Sequence, residues 1–183
     1  MRQQPAAMPS VIGNDAIETG MIGTARGRLQ EAGDERPEVR LLPDGAYRVQ
    51  RLIRFSHTDP AGIVYFPVYF DMFNGVVEDW FTHALGLNYA SMILDRRLGL
   101  PIVHAECDFL VPSRMGETLT MGVVIERLGR SSLQIRINGE IGDQVRLSGG
   151  LTMVTTSLDA FGPVPIPDDI RAAMEAYDAA CRA

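Results

Sequence analysis

One carboxylate stands out for its neighbours. Asp59 lies in the run His57-Thr58-Asp59-Pro60-Ala61-Gly62-Ile63-Val64-Tyr65-Phe66-Pro67. Pro presets φ and Gly permits φ > 0, so Pro60-Ala61-Gly62 reads as a tight, shaped turn. Pro67 suits the first turn of a helix, where its missing N–H costs nothing. Asp59 is therefore expected beside a helix N-terminus whose free N–H groups point outward. Such a pair can do acyl chemistry: the N–H groups polarise a carbonyl oxygen while the carboxylate acts on the carbon. The helix dipole keeps the carboxylate ionised, ready as a general base towards water or as a nucleophile. The plain alternative is a loop carboxylate that only caps the helix.

Other side chains could join it. His57, two residues earlier, either tunes Asp59, meets substrate, or simply holds the turn. Thr58 is a further substrate contact. Tyr65 and Tyr69 are placed to line a pocket at the helix start. Arg127, Arg130, Ser131 and Ser132 surround a turn, and Arg forks with turn N–H groups suit phosphate; a solvated turn reads equally well. His83 and His104 have no partners at metal-ligand spacing, so no metal is expected. There is no Gly-x-Ser-x-Gly elbow, Gly-rich nucleotide loop or His-Glu-x-x-His, so serine-hydrolase, dinucleotide and zincin chemistry are unsupported.

These residues need elements to hold them. Tyr47, Val49, Arg51, Ile53 and Phe55 recur at period two and predict a strand leading into the Asp59 turn. Phe66, Phe70, Phe73, Val77, Phe81 and Ala84 form an apolar stripe at helical spacing, widened by Met72, Val76 and Trp80. A helix apolar on more than one side is buried, by a sheet or a partner subunit. Gly86 ends it, and a shorter helix is expected from Tyr89 to Leu98. Four strands follow: Pro101 to Val111, Glu117 to Leu128, Ser131 to Glu140 and Gln144 to Ser157. Their short polar links read as hairpins, and Gly149-Gly150 as a bulge or bend. Asp168-Asp169 is expected to cap a last helix from Ile170 to about Cys181. Residues 1–44, rich in Gly, Pro and charge, read as a flexible N-terminal extension, and residues 45–183 as one domain. The layout is α+β: a five-stranded antiparallel sheet wrapped around a long central helix. Such a sheet leaves a strand edge and one helix face uncovered, which subunit pairing would cover.

Composition narrows the partners. The 183 residues carry a net charge of −6, which does not suit a nucleic-acid surface. All 17 basic residues are Arg, so a phosphate-bearing ligand stays open. Cys107 and Cys181 make no CxxC, consistent with a reducing cytoplasm. No run of 18 apolar residues and no apolar signal region is present, so no membrane association is expected.

The Asp59-Pro60-Ala61-Gly62-Ile63-Val64-Tyr65-Phe66-Pro67 block resembles the signature of hot-dog-fold acyl-CoA thioesterases of the 4-hydroxybenzoyl-CoA thioesterase type. The likeness spans about residues 47–172. It includes His104-Ala105-Glu106-Cys107-Asp108-Phe109-Leu110-Val111-Pro112, Gly116 to Leu119, Glu126 to Ser132 and Pro163 to Pro167. The resemblance implies hydrolysis of an acyl-CoA thioester, possible on aromatic acyl groups such as 4-hydroxybenzoyl-CoA, without cofactor. It implies a homodimer or homotetramer with the active site at the subunit interface. It carries the catalytic carboxylate onto Asp59 and the oxyanion donor onto the Phe66 backbone N–H. Relatives that draw their acid from the central helix make Glu78 the alternative catalytic carboxylate. Phe66 stands where a short-chain branch has His, which disfavours that branch. His57 departs from the Asp more usual there and leaves the acyl group open. A hot-dog hydratase would need a His near the start of the central helix, where this chain has none. Two other readings remain: a non-catalytic acyl-CoA-binding protein, and a thioesterase acting on acyl carrier protein.

Overall fold

The computed structural model describes residues 41–183; residues 1–40 of the expected 1–44 extension lie outside them. The domain begins slightly earlier than expected, because Leu42 is already buried and Arg48 donates to the Leu42, Pro43 and Asp44 carbonyls. Strand β1 (Tyr47–Leu52) alternates half-buried and exposed residues as its period predicts. Phe55 departs from the alternation. It falls in a 3-10 turn, Phe55–His57, and is 81% exposed.

Helix α1 (Phe66–Asp79) follows the Asp59 turn and continues as a π-helical turn, Trp80–Ala84. Its buried face is Tyr69, Met72, Phe73, Val76, Val77, Trp80 and Phe81. The expected stripe therefore lies off-centre: Phe66 is exposed, Phe70 half-buried and Ala84 exposed. The apolar band is broad enough for its residues to compete, and sheet packing selects the 69–72–76–80 row with its 73–77–81 neighbour.

Strands β3 (Ile102–Phe109), β4 (Thr118–Leu128), β5 (Ser132–Ile141) and β6 (Gln144–Val154) complete an antiparallel sheet in the order β1-β4-β5-β6-β3. The sheet wraps α1 with buried Leu119, Met121, Val123, Ile135, Ile137, Leu147 and Leu151. The order corrects one expectation. β3 and β4 are not hairpin neighbours; residues 110–117 cross from one edge of the sheet towards the other. Their composition looks like a hairpin link, but β6 claims β3 through a register running from Ile102↔Met153 to Phe109↔Leu147. No bulge occurs at Gly149-Gly150 either. Both glycines stay in register, and Gly149 is small because the Phe73 ring lies against it.

A second small sheet, β2 (Leu98–Gly99), β7 (Thr156–Ser157) and β8 (Gly162–Pro163), alters two more boundaries. Helix α2 runs only from Tyr89 to Leu94, since Leu98 and Gly99 pair with Ser157 and Thr156. The same pairing ends β6 at Val154. Helix α3 (Asp168–Arg182) starts two residues early, with Pro167 as N-cap. Asp168 and Asp169 sit in its first turn, where they complement the helix dipole. The Arg96 fork takes both Asp169 oxygens at 2.7 and 2.9 Å and holds that carboxyl below the usual range.

Candidate active site

The Asp59 turn is built by its own backbone. The Asp59 N–H donates to the Ile63 carbonyl at 3.0 Å, and the Gly62 N–H to the Asp59 carbonyl at 2.9 Å. Gly62 takes φ +75°, which an L side chain rarely adopts. Asp59 Oδ1 accepts the Ala61 N–H at 2.8 Å, so one carboxylate oxygen fixes the turn. Among the described residues, the other oxygen accepts no hydrogen bond. The turn is then pinned to the 110–117 crossover, where Val64 N–H donates to Ser113 at 3.0 Å and Ile63 bridges Arg114.

An account of the N–H groups at the start of α1 identifies one free donor. A helix leaves its first four N–H groups without intrahelical partners. Here Tyr65 donates to the His57 carbonyl at 3.0 Å, Val68 donates to the Tyr65 carbonyl at 2.9 Å, and Pro67 has no N–H. Among the described residues, the Phe66 N–H is left over. Phe66 and Asp59 both line a cavity of about 350 Å³. Its walls are Ile63, Val64, Tyr65 and Tyr69 from the turn and helix, Phe109, Val111 and Pro112 from β3 and the crossover, and Arg146 from β6. Tyr69 is 5% exposed, and burial raises its phenol above the ordinary range, an effect that Ser113 beside it opposes. The cavity is thus an apolar slot with one carboxylate, two phenols and one guanidinium, a usual composition for a small-molecule site.

The structure separates the other expected residues. Tyr65 and Tyr69 line the cavity; His57 and Thr58 do not. His57 Nδ1 accepts the Arg54 N–H at 3.2 Å and Thr58 Oγ1 donates to the Phe55 carbonyl at 2.9 Å, so both hold the 3-10 turn. Glu78 is exposed and lies 12 residues along α1 from Phe66, about 18 Å at 1.5 Å per residue. Arg127, Arg130, Ser131 and Ser132 surround the β4–β5 turn, at the Ile102 end of the sheet. The cavity lies at the Phe109 end, roughly 20 Å away along β3. Ser131 and Arg130 carbonyls there accept the Thr155 and Ile166 N–H groups, which ties the turn to the exit segment. Phe109, Val111, Pro112, Ile63, Val64 and Arg146 are lining residues that sequence reasoning did not assign. Five of the six lie inside the blocks that carried the resemblance; Arg146 carried no signal at all.

The comparisons agree with this architecture. Residues 53–174 match the model of the thioesterase-like superfamily. The chain belongs to that superfamily and has its hot-dog fold. Its relatives include a 1,4-dihydroxy-2-naphthoyl-CoA hydrolase of Synechococcus elongatus, 38% identical over 90 residues, or 49% of this chain and 65% of that one. The chain thus spans just under two thirds of that relative's length. The enzyme of the same name from Nostoc punctiforme is 25% identical over 68% of this chain and 84% of its own. Among solved structures, a gentisyl-coenzyme A thioesterase superposes with a TM-score of 0.65 at 27% identity, covering 70% of this chain and 99% of that one.

Proposed function

We propose that this protein is an acyl-CoA thioesterase acting on a hydroxylated aromatic acyl group. What supports the reading is that Asp59 and Phe66, whose N–H has no acceptor among the described residues, line one apolar cavity. The thioester oxygen accepts the Phe66 N–H, which withdraws charge from the carbonyl carbon. Such a donor is typically worth about 2.7–4 kcal/mol in the transition state. Asp59 then acts in one of two ways. As nucleophile it adds to the carbon, the C–S bond breaks, CoA leaves as thiolate and water opens the mixed anhydride. As general base it takes a proton from the water that attacks. The free acid and CoA are the products of both routes. Relatives and neighbours that are named for naphthoyl and gentisyl thioesters support an aromatic acyl group.

A second copy of the chain completes the site in this reading. β3 is an edge strand, with Ile102, Val103 and Phe109 exposed, and the cavity adjoins it. Antiparallel pairing of β3 with the partner's β3 would bring the partner's Ile102 end, and with it the partner's β4–β5 turn, towards the cavity. That supports Arg127, Arg130, Ser131 and Ser132 as CoA phosphate contacts across the interface.

Thiol release from benzoyl-, 4-hydroxybenzoyl-, 2,5-dihydroxybenzoyl-, naphthoyl- and aliphatic-CoA tests the reading, with an acyl carrier protein ester alongside. Wild type should cleave the aromatic CoA esters. Asp59→Asn should fall about 10²–10⁴-fold while staying folded. Phe66→Ala, which keeps its backbone donor, should fall far less. An unaffected Asn variant would turn attention to Glu78. Binding without cleavage by wild type would leave a non-catalytic binding protein.

A further inference from the structure

Arg146 has more hydrogen-bonding capacity than the described residues use. Its side chain is 14% exposed. Nη1 donates to the Pro112 carbonyl at 2.7 Å. Nη2 stands 3.6 Å from Glu117 Oε1, too far for a hydrogen bond, and the other Glu117 oxygen is taken by the Arg114 N–H at 2.7 Å. Nε is sealed from solvent and has no acceptor among the described residues, so the donors open to a ligand are those of Nη2. A guanidinium carries five N–H donors and cannot shed its charge. Buried donors left unpaired are costly, and a half-satisfied buried cation is the kind of group that a ligand completes.

Its position says which ligand atom that is. Arg146 lines the cavity from β6, whereas Asp59 and Phe66 line it from the loop and helix. With the thioester carbon at Asp59, the acyl ring would run past Tyr69, Phe109 and Val111, which line the same cavity. Arg146 is the one cationic side chain among the lining residues. It accepts nothing and only donates, so its partner must offer an oxygen lone pair.

We propose that Arg146 is a specificity-determining residue that recognises an oxygen substituent, a hydroxyl or phenolate, on the acyl ring. This rests on the thioesterase reading above for the direction in which the ester lies. The contact selects hydroxylated over unsubstituted rings. It leaves the thioester step itself to Asp59 and Phe66.

Two matched pairs of ligands test it, one independent of turnover. S-phenacyl-CoA and S-(4-hydroxyphenacyl)-CoA are thioethers that cannot be hydrolysed, and calorimetry gives their dissociation constants. Benzoyl-CoA and 4-hydroxybenzoyl-CoA, together with the 2,5-dihydroxy ester, give kcat/KM. Wild type should favour the hydroxylated member of each pair, by about 10–100-fold for a hydrogen bond to a charged group. Arg146→Met should remove that preference, lowering the hydroxylated member of each pair by about 10–100-fold more than the unsubstituted one. Arg146→Lys, which keeps the charge and can still reach the Pro112 carbonyl, should restore part of it. Equal losses on both members of a pair would overturn the proposal, since a structural prop or a CoA phosphate contact acts on both alike. So would a preference that survives in Arg146→Met, or no preference in wild type. If no ester is cleaved, the thioesterase reading fails, and the thioether pair still decides for or against Arg146. A melting curve for each variant excludes global unfolding as the cause.

Discussion

Gly149 on β6 lies directly beneath the Phe73 ring of α1. A Cβ built on Gly149 would stand 2.5 Å from two of the ring carbons. Phe73 is fully buried, so the ring has no exit. The missing side chain is what lets the central helix sit close against the middle of the sheet. Gly149→Ala should therefore destabilise the fold by about 1–3 kcal/mol, as overpacking does. The shifted helix should also lower turnover, since its first residue supplies the Phe66 N–H. Phe73→Leu in the same chain should recover part of the loss, so the double variant costs less than the sum of the singles. Additive costs in thermal melts would show that the two residues do not compete for space.

That glycine also shows where the sequence was legible. Periodicity revealed β1 and α1, because each buries one face and apolar residues repeat at 2.0 or 3.6. The Asp59 turn was legible because Pro60 and Gly62 restrict the backbone locally. Gly149 was expected to mark a bulge, because a glycine in a strand signals missing volume without saying what fills it. The 110–117 crossover looked like a hairpin, since its residues suit any polar loop and the competing β3–β6 pairing lies some 45 residues away. The end of α2 was missed because β2 exists only through β7. Arg146 sits on a strand between Val145 and Leu147, and its unpaired donors are defined only once Pro112 and Glu117 have folded beside it.

A dimer through β3 makes a sharp prediction at Ala105. This residue is exposed near the middle of β3, opposite Leu151 of β6. Two antiparallel copies would place their Ala105 residues close together. Ala105→Asp would then set two carboxylates against each other, and like charges so placed cost several kcal/mol. Sedimentation should give a dimer or tetramer for wild type and a monomer for the variant, with thiol release falling alongside. A variant that keeps the wild-type mass would remove β3 as the interface.

The last prediction concerns alkaline pH. The Tyr177 hydroxyl on α3 donates to the Val123 carbonyl of β4 at 2.6 Å and accepts the Tyr47 N–H at 2.8 Å. It thus bonds α3 to two strands. Tyr177→Phe should cost about 1–3 kcal/mol at pH 8, because a buried N–H and carbonyl lose their partner. Burial pushes the Tyr177 phenol well above its ordinary value of 10.0. A folded-state pKa raised in this way stabilises the protein fully below the unfolded value, and that contribution is lost as pH rises past it towards the folded value. Burial raises Tyr47, Tyr69 and Tyr89 in the same direction, and the Cys107 thiol from 9.0 to about 12. Wild type should therefore melt at steadily lower temperature between about pH 9 and 11. Tyr177→Phe should start lower at pH 8 but decline less steeply, having lost one of the groups that resist ionisation. Parallel curves for the two proteins would mean that Tyr177 ionises no harder in the fold than outside it.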